Sequence, residues 1–172
     1  MTNTFSRIAS IALAFALMPT ATSAQQMDHS SNEGHQMHAM DASADDVAGA
    51  EEALMAYRTA LEARDADAMF ALFAESSAIF ENGKAEGSFA NYMEHHLGPE
   101  LHAIKSFTFS NPTLTVTRMG HMAYGYETYG YRIELEDGRV FERDGVATSV
   151  LSHDASGWEI VQYHSSSRAP RN

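Results

Sequence analysis

Residues 47–168 are predicted to form an α+β domain, and three features of the chain say so. Apolar residues recur at spacings of three and four through the first half of that stretch. Long alternating runs fill the second half, and only short turns separate them. Helices first and antiparallel strands after imply helices packed on one face of a single sheet.

The elements follow in order. Val47, Ala50, Leu54, Tyr57 and Leu61 mark the first helix, with Asp45 or Asp46 as its cap. Arg64-Asp65-Ala66-Asp67 breaks the period. A short helix follows, with Met69, Phe70, Leu72 and Phe73 as its apolar residues. Ser76 to Glu81 reads as a strand, and Asn82-Gly83-Lys84 as a tight turn. Ser88 caps a third helix carrying Phe89, Tyr92, Met93, His96, Leu97, Glu100 and Leu101 on one side. Gly98-Pro99 interrupts it, because proline removes a backbone hydrogen bond and kinks a helix, so two short helices in place of one are an open alternative. Phe107, Phe109, Leu114 and Val116 mark a long strand, with Pro112 at a bulge or an edge. His121 to Leu135 is the next strand, and Glu136-Asp137-Gly138-Arg139 the hairpin turn after it. Val140 to Ser152 and Gly157 to Ser167 complete an antiparallel meander.

Composition excludes several functions. The chain has 172 residues and a net charge of -12, so nucleic acid and anionic membranes, which reward Lys and Arg, are not expected partners. It has no cysteine, which excludes disulfides, thiolate nucleophiles and lipoprotein anchoring. Arg7, the apolar run Ile8 to Met18 and the small residues before Ala24 read as a cleaved signal peptide, residues 1–24. That run is too short for a comfortable span, so a periplasmic or secreted protein is expected. Residues 25–46 lack bulky apolar side chains and read as a disordered linker. Its tract holds His29, His35 and His38 with Met27, Met37 and Met40. Thioethers select Cu(I) and imidazoles suit Cu(II) and zinc, so the tract is a candidate copper site. Residues 169–172 are a tail.

The last strand carries the candidate site. Strict alternation puts Trp158, Ile160, Gln162, His164 and Ser166 on one face, apolar at its start and polar at its end. Such a face begins in the core and ends in a cavity, so His164 is expected to look into one.

The element order, together with several local patterns, resembles the nuclear transport factor 2-like superfamily and its secreted SnoaL-like members. Those patterns are Tyr57 in the opening helix, the Asp65-Ala66-Asp67 break and Glu81-Asn82-Gly83. Tyr92 through Leu97, Gly145 through Thr148 and the ending Trp158 through Ser167 complete them. The resemblance implies a curved sheet wrapped around a long helix, a cone with one deep pocket, and a homodimer through the outer sheet face.

In such a cone the open end receives His164, Glu81 and, from the third helix, His95 or His96 with Glu100. His96 and Glu100 lie four apart on one helical face, while His95 points about 100° away toward solvent. Imidazoles and carboxylates suit either a zinc or copper ion, held by His164, His96, Glu81 and Glu100, or an acid–base pair. Tyr124 and Tyr126 share one strand face, Tyr129 and Tyr131 the other, and aromatics inside a cone suit a flat apolar ligand. Ser165-Ser166-Ser167-Arg168 has no G-x-S-x-G elbow and is not a hydrolase site; Arg168 is expected to pair with an acidic helix residue. The superfamily's isomerase-like members use a pocket Asp with a Tyr/Asp oxyanion hole, and its epoxide hydrolase-like members an Asp-Arg-Asp set. Neither maps onto this sequence: Arg143 and Asp144 point to opposite faces.

Two functions follow, with a stress-related structural dimer carrying a vestigial pocket as a third reading. One is a secreted module binding a small apolar molecule or a metal ion. The other is a cofactor-independent isomerase, lyase or hydrolase with His164 as base and Glu81 or Tyr126 as partner.

Overall fold

The computed structural model describes residues 44–171. The expected signal peptide and the copper tract from Met27 to Met40, with His29, His35, Met37 and His38, lie outside the described residues. The described elements are α1 (Ala44–Ala63), α2 (Ala66–Phe70), β1 (Phe73–Glu81), β2 (Lys84–Gly87), α3 (Phe89–Tyr92), a π-helical turn (Met93–Leu97), α4 (Gly98–Ala103), β3 (Ile104–Met119), β4 (Met122–Leu135), β5 (Val140–Asp154) and β6 (Gly157–Arg168). The strands form one sheet in the order β2-β1-β6-β5-β4-β3. All neighbours are antiparallel except β1 and β6. The sheet is therefore mixed, and the meander covers only β3 to β6. Among the described residues no helix is long and apolar enough to cross a membrane.

α1 buries Ala50, Ala53, Leu54, Tyr57, Ala60 and Leu61 against the sheet, the face its period dictates. Small residues let it lie close. A side chain at Gly125 would meet Leu54, and one at Gly49 would meet Trp158. The expected cap at Asp45 or Asp46 falls inside the helix, which begins at Ala44. Phe73 belongs to β1 rather than to α2, because Asp65 caps α2 and the helix ends at Phe70. Its ring stacks on Phe89, centroids 4.0 Å apart, and meets Tyr57 edge-on at 5.0 Å.

The turns follow their chemistry. Asn82 and Gly83 both adopt positive φ, +47° and +87°, as a two-residue hairpin loop requires. Ser88 accepts from the Asn91 amide at 3.2 Å and caps α3. Pro112 lies where the β3–β4 register shifts, and β3 is an edge strand, so its missing N–H is harmless.

The third helix is continuous rather than split in two. Pro99 cannot donate to the helix ladder, and the chain absorbs this by widening one turn, so that the Gly98 amide reaches the Met93 carbonyl. A Cβ at position 98 would sit 2.3 Å from that carbonyl oxygen. Gly98→Ala is expected to destabilise the fold by about 1–3 kcal/mol through this overlap, read as a lower urea midpoint.

Candidate functional site

The strand that was expected to aim His164 inward changes phase before it gets there. Leu151 stands opposite Ile160 and Val150 opposite Gln162, so Val161 is an extra residue on β6. A β-bulge of this kind moves every later side chain to the other face. Ile160 is buried on the inner face before it, and Tyr163 after it. His164 therefore points outward. It stands opposite Thr148 and Phe80, with the exposed Phe80 ring 6.4 Å away. Tyr126 shares that row and is 52% exposed. Neither His164 nor Tyr126 is a pocket residue. The sequence carried the signal, because apolar residues run Trp158, Ile160, Val161, Tyr163 and shift from even to odd positions.

What lies inside is a cavity of about 120 Å³ between α1, the third helix and the inner sheet face. Tyr57, Tyr92, Tyr129, Tyr131 and Tyr163 line it, with Glu81 and Glu100 as its carboxylates. Tyr129 and Tyr131 fall inside and Tyr124 and Tyr126 outside, as alternation demands. The Tyr129 ring lies over Gly145, where a Cβ would come within 2.2 Å of it. A wider groove of about 550 Å³ runs along the sheet end between Asn111 and Arg168, but it is open, and its charged pair Arg168–Asp144 is closed at 3.2 Å. Arg168 thus pairs with a strand residue, not a helical one, because Asp144 stands directly opposite it on β5.

At the cavity mouth the Glu81 carboxylate accepts from the Tyr92 hydroxyl at 2.7 Å. Its Oε2 is 3.8 Å from His96 Nε2, which also faces Glu100 Oε1 at 3.3 Å. His96 Nδ1 lies 3.0 Å from Glu86 Oε1, and Lys84 donates to Glu86 Oε2 at 2.8 Å. His96, Glu81 and Glu100 are thus brought together as expected, and the exposed His95 is turned away. His164 is not in the group. A zinc or copper site built from His164, His96, Glu81 and Glu100 is not assembled, because His164 lies across the sheet and Glu86 occupies one His96 nitrogen. Among the described residues no three His, Asp or Glu side chains are placed to hold a metal ion.

Burial pushes the phenols up: Tyr57, Tyr92 and Tyr163 stay protonated well past the ordinary range, and Tyr129 is pushed up to about 12. Burial also raises Glu100, with the Glu81 charge adding and His96 opposing. Partial burial alone would lower His96, but the Glu86 hydrogen bond and the Glu100 and Glu81 charges outweigh it and raise it. The hydrogen bond from Lys84 holds Glu86 below its ordinary value. Deeper in the cone Arg58 on α1 bonds Glu127 on β4, and burial raises Glu127 despite this partner.

Sequence reasoning missed Tyr57, Tyr92 and Tyr163 as pocket walls and Glu86 altogether. The tyrosines needed the bulge and the helix docking to be known. Glu86 offered only a weak signal, a carboxylate two positions after Lys84 in a hairpin.

The SnoaL-like domain profile matches residues 50–170. No curated protein matches the chain. Similar solved structures include a ketosteroid isomerase-like protein from Erwinia carotovora atroseptica, 20% identical with a TM-score of 0.65. That match covers 74% of this chain and all of that one. A nuclear transport factor 2-like superfamily protein from Salmonella enterica is 17% identical with a TM-score of 0.61, over 72% of this chain and 92% of that one. At these identities the likeness is one of fold.

His96 should leave a mark on stability. Its raised value in the folded chain means that its contribution is complete below the ordinary value of ~6.5 and is lost as the pH rises from there through the raised, folded-state value. Urea midpoints at pH 6 and pH 9 are expected to fall with pH more steeply in the wild type than in His96→Gln.

Proposed function

The chain belongs to the SnoaL-like domain family, and from that premise we propose that its cavity binds a small, flat, mostly apolar molecule and that Glu81 exchanges a proton with it. One observation carries this reading. A carboxylate, Glu81, and a buried phenol, Tyr57, line the same aromatic cavity. A few polar groups set in an apolar, aromatic wall orient a small ligand, and a ligand oxygen can accept from the Tyr57 O–H.

The chemistry follows from the two groups. Glu81 takes a proton from carbon next to a ligand carbonyl: the C–H bond breaks and an O–H bond forms on the carboxylate. The electron pair moves to the carbonyl oxygen, where the Tyr57 O–H, held protonated by burial, donates to the developing negative charge. Return of the proton at another carbon would isomerise the molecule. The similar structure named ketosteroid isomerase-like supports this class of reaction. Glu81 takes the role that the sequence reading gave to His164.

A simple binding role remains as the second reading, favoured by the hydrogen bond that already ties Glu81 to Tyr92. A panel of small cyclic ketones in deuterated water separates the two. Deuterium should enter next to the carbonyl, and Glu81→Gln should slow this roughly 100-fold or more with binding kept. Binding without any exchange would leave the cavity a ligand site and remove the proton transfer.

The outer sheet face supports a homodimer. The rows Phe80–His164–Thr148–Tyr126, Ala78–Gln162–Val150–Tyr124 and Ser166–Val146–Thr128 contain no Lys, Arg, Asp or Glu. In a chain of net charge -12, a second copy can approach on such a face with least repulsion. Val146, 51% exposed, sits within it. Sedimentation should show a dimer for the wild type and a monomer for Val146→Asp; a wild-type monomer at tens of micromolar would remove the proposal.

A further inference from the structure

We propose that Glu86 is a positioning residue that makes His96 the proton carrier of the cavity mouth. The inference rests on the reading of Glu81 as the group that exchanges a proton with a bound molecule.

Glu86 is only 5% exposed, and the hairpin β1–β2 fixes its place: Glu81 stands opposite Lys84, two residues before it. Both of its oxygens are used, Oε2 by Lys84 and Oε1 by His96 Nδ1. An ionised carboxylate can only accept, so Nδ1 must carry the hydrogen. Nε2 is then the nitrogen that gains and loses a proton. It is also the nitrogen that faces Glu81 at 3.8 Å and Glu100 at 3.3 Å. Without Glu86 either nitrogen could be presented, and the ring would be free to turn.

The groups packed around His96 come from four elements. Glu81 faces it from β1, Glu86 from β2 and Glu100 from α4, and the Tyr92 ring of α3 meets it edge-on at 5.2 Å. Lys84 acts on it through Glu86, and His95 and Glu94 on its own turn are exposed and face each other. The proton's route is therefore short. The O–H formed on Glu81 breaks, and an N–H forms on Nε2. The gap of 3.8 Å needs a rotation of the carboxylate or one bridging water. The resulting imidazolium is met by Glu86 and Glu100, and with 27% of its side chain exposed it can release the proton to solvent.

Nuclear magnetic resonance of the chain with 15N-labelled histidine, titrated from pH 5 to pH 9 without ligand, tests this. Neutral His96 should carry its hydrogen on Nδ1. Glu86→Gln should lower the His96 midpoint and mix the two tautomers, and Glu86→Asp should restore part of both. Neutral wild-type His96 with its hydrogen on Nε2, or identical midpoints in the wild type and Glu86→Gln, overturns the proposal. If Glu86→Gln does not fold, the wild-type tautomer alone decides. Loss of deuterium exchange with the Nδ1–H tautomer intact would strike the Glu81 reading instead, since the tautomer is read with no ligand present.

Discussion

The cavity exists in its present form because Val161 is left out of the ladder between β5 and β6. A strand has a period of two, so one unpaired residue exchanges its inner and outer faces for the rest of its length. Before the bulge β6 gives Trp158 and Ile160 to the core. After it the strand gives Tyr163 to the wall of the cavity and Ser165 and Ser167 to its lip. The same shift sends His164 to the outer face, among Phe80, Thr148 and Tyr126. One backbone irregularity thus separates an aromatic interior from the uncharged rows of the outer face.

The interior is polar in a limited way. Tyrosine supplies ring area and one hydroxyl, so a wall of tyrosines excludes water while leaving hydrogen-bonding atoms inside. Their burial keeps them protonated, which makes them donors and not anions. Negative charge is confined to Glu81 and Glu100 at one end and to Glu127 deeper in, where Arg58 bonds it. That pair also joins α1 to β4. Breaking one partner would strand a buried charge, so it fixes how the helix lies in the sheet.

The mouth depends on a second irregularity. Pro99 would break an ordinary α-helix; here the widened turn before Gly98 absorbs it. The helix therefore runs on, and His96 and Glu100 remain neighbours on either side of the distortion. Opposite them the β1–β2 hairpin brings Glu81 and Glu86 to the same spot through a turn whose Asn82 and Gly83 both adopt positive φ. Charges from a helix with one widened turn and from a tight hairpin meet there only because both local rules are satisfied at once.

The sequence by itself determined the class of fold, the order of its elements, the turns at Asn82-Gly83 and Gly138, the capping by Ser88 and the division of the β4 tyrosines between two faces. These are local properties: period, cap chemistry and turn chemistry act within a few residues. It also brought Glu81, His96 and Glu100 toward one place, since two of them share a helical face. The tertiary structure alone decided that His164 and Tyr126 face outward, that Tyr57 and Tyr163 line the cavity, and that Glu86 holds His96. The reason is register. Which face a strand residue takes depends on every pairing along the ladder, and a bulge is settled by the neighbouring strand, which alternation read along one segment cannot see.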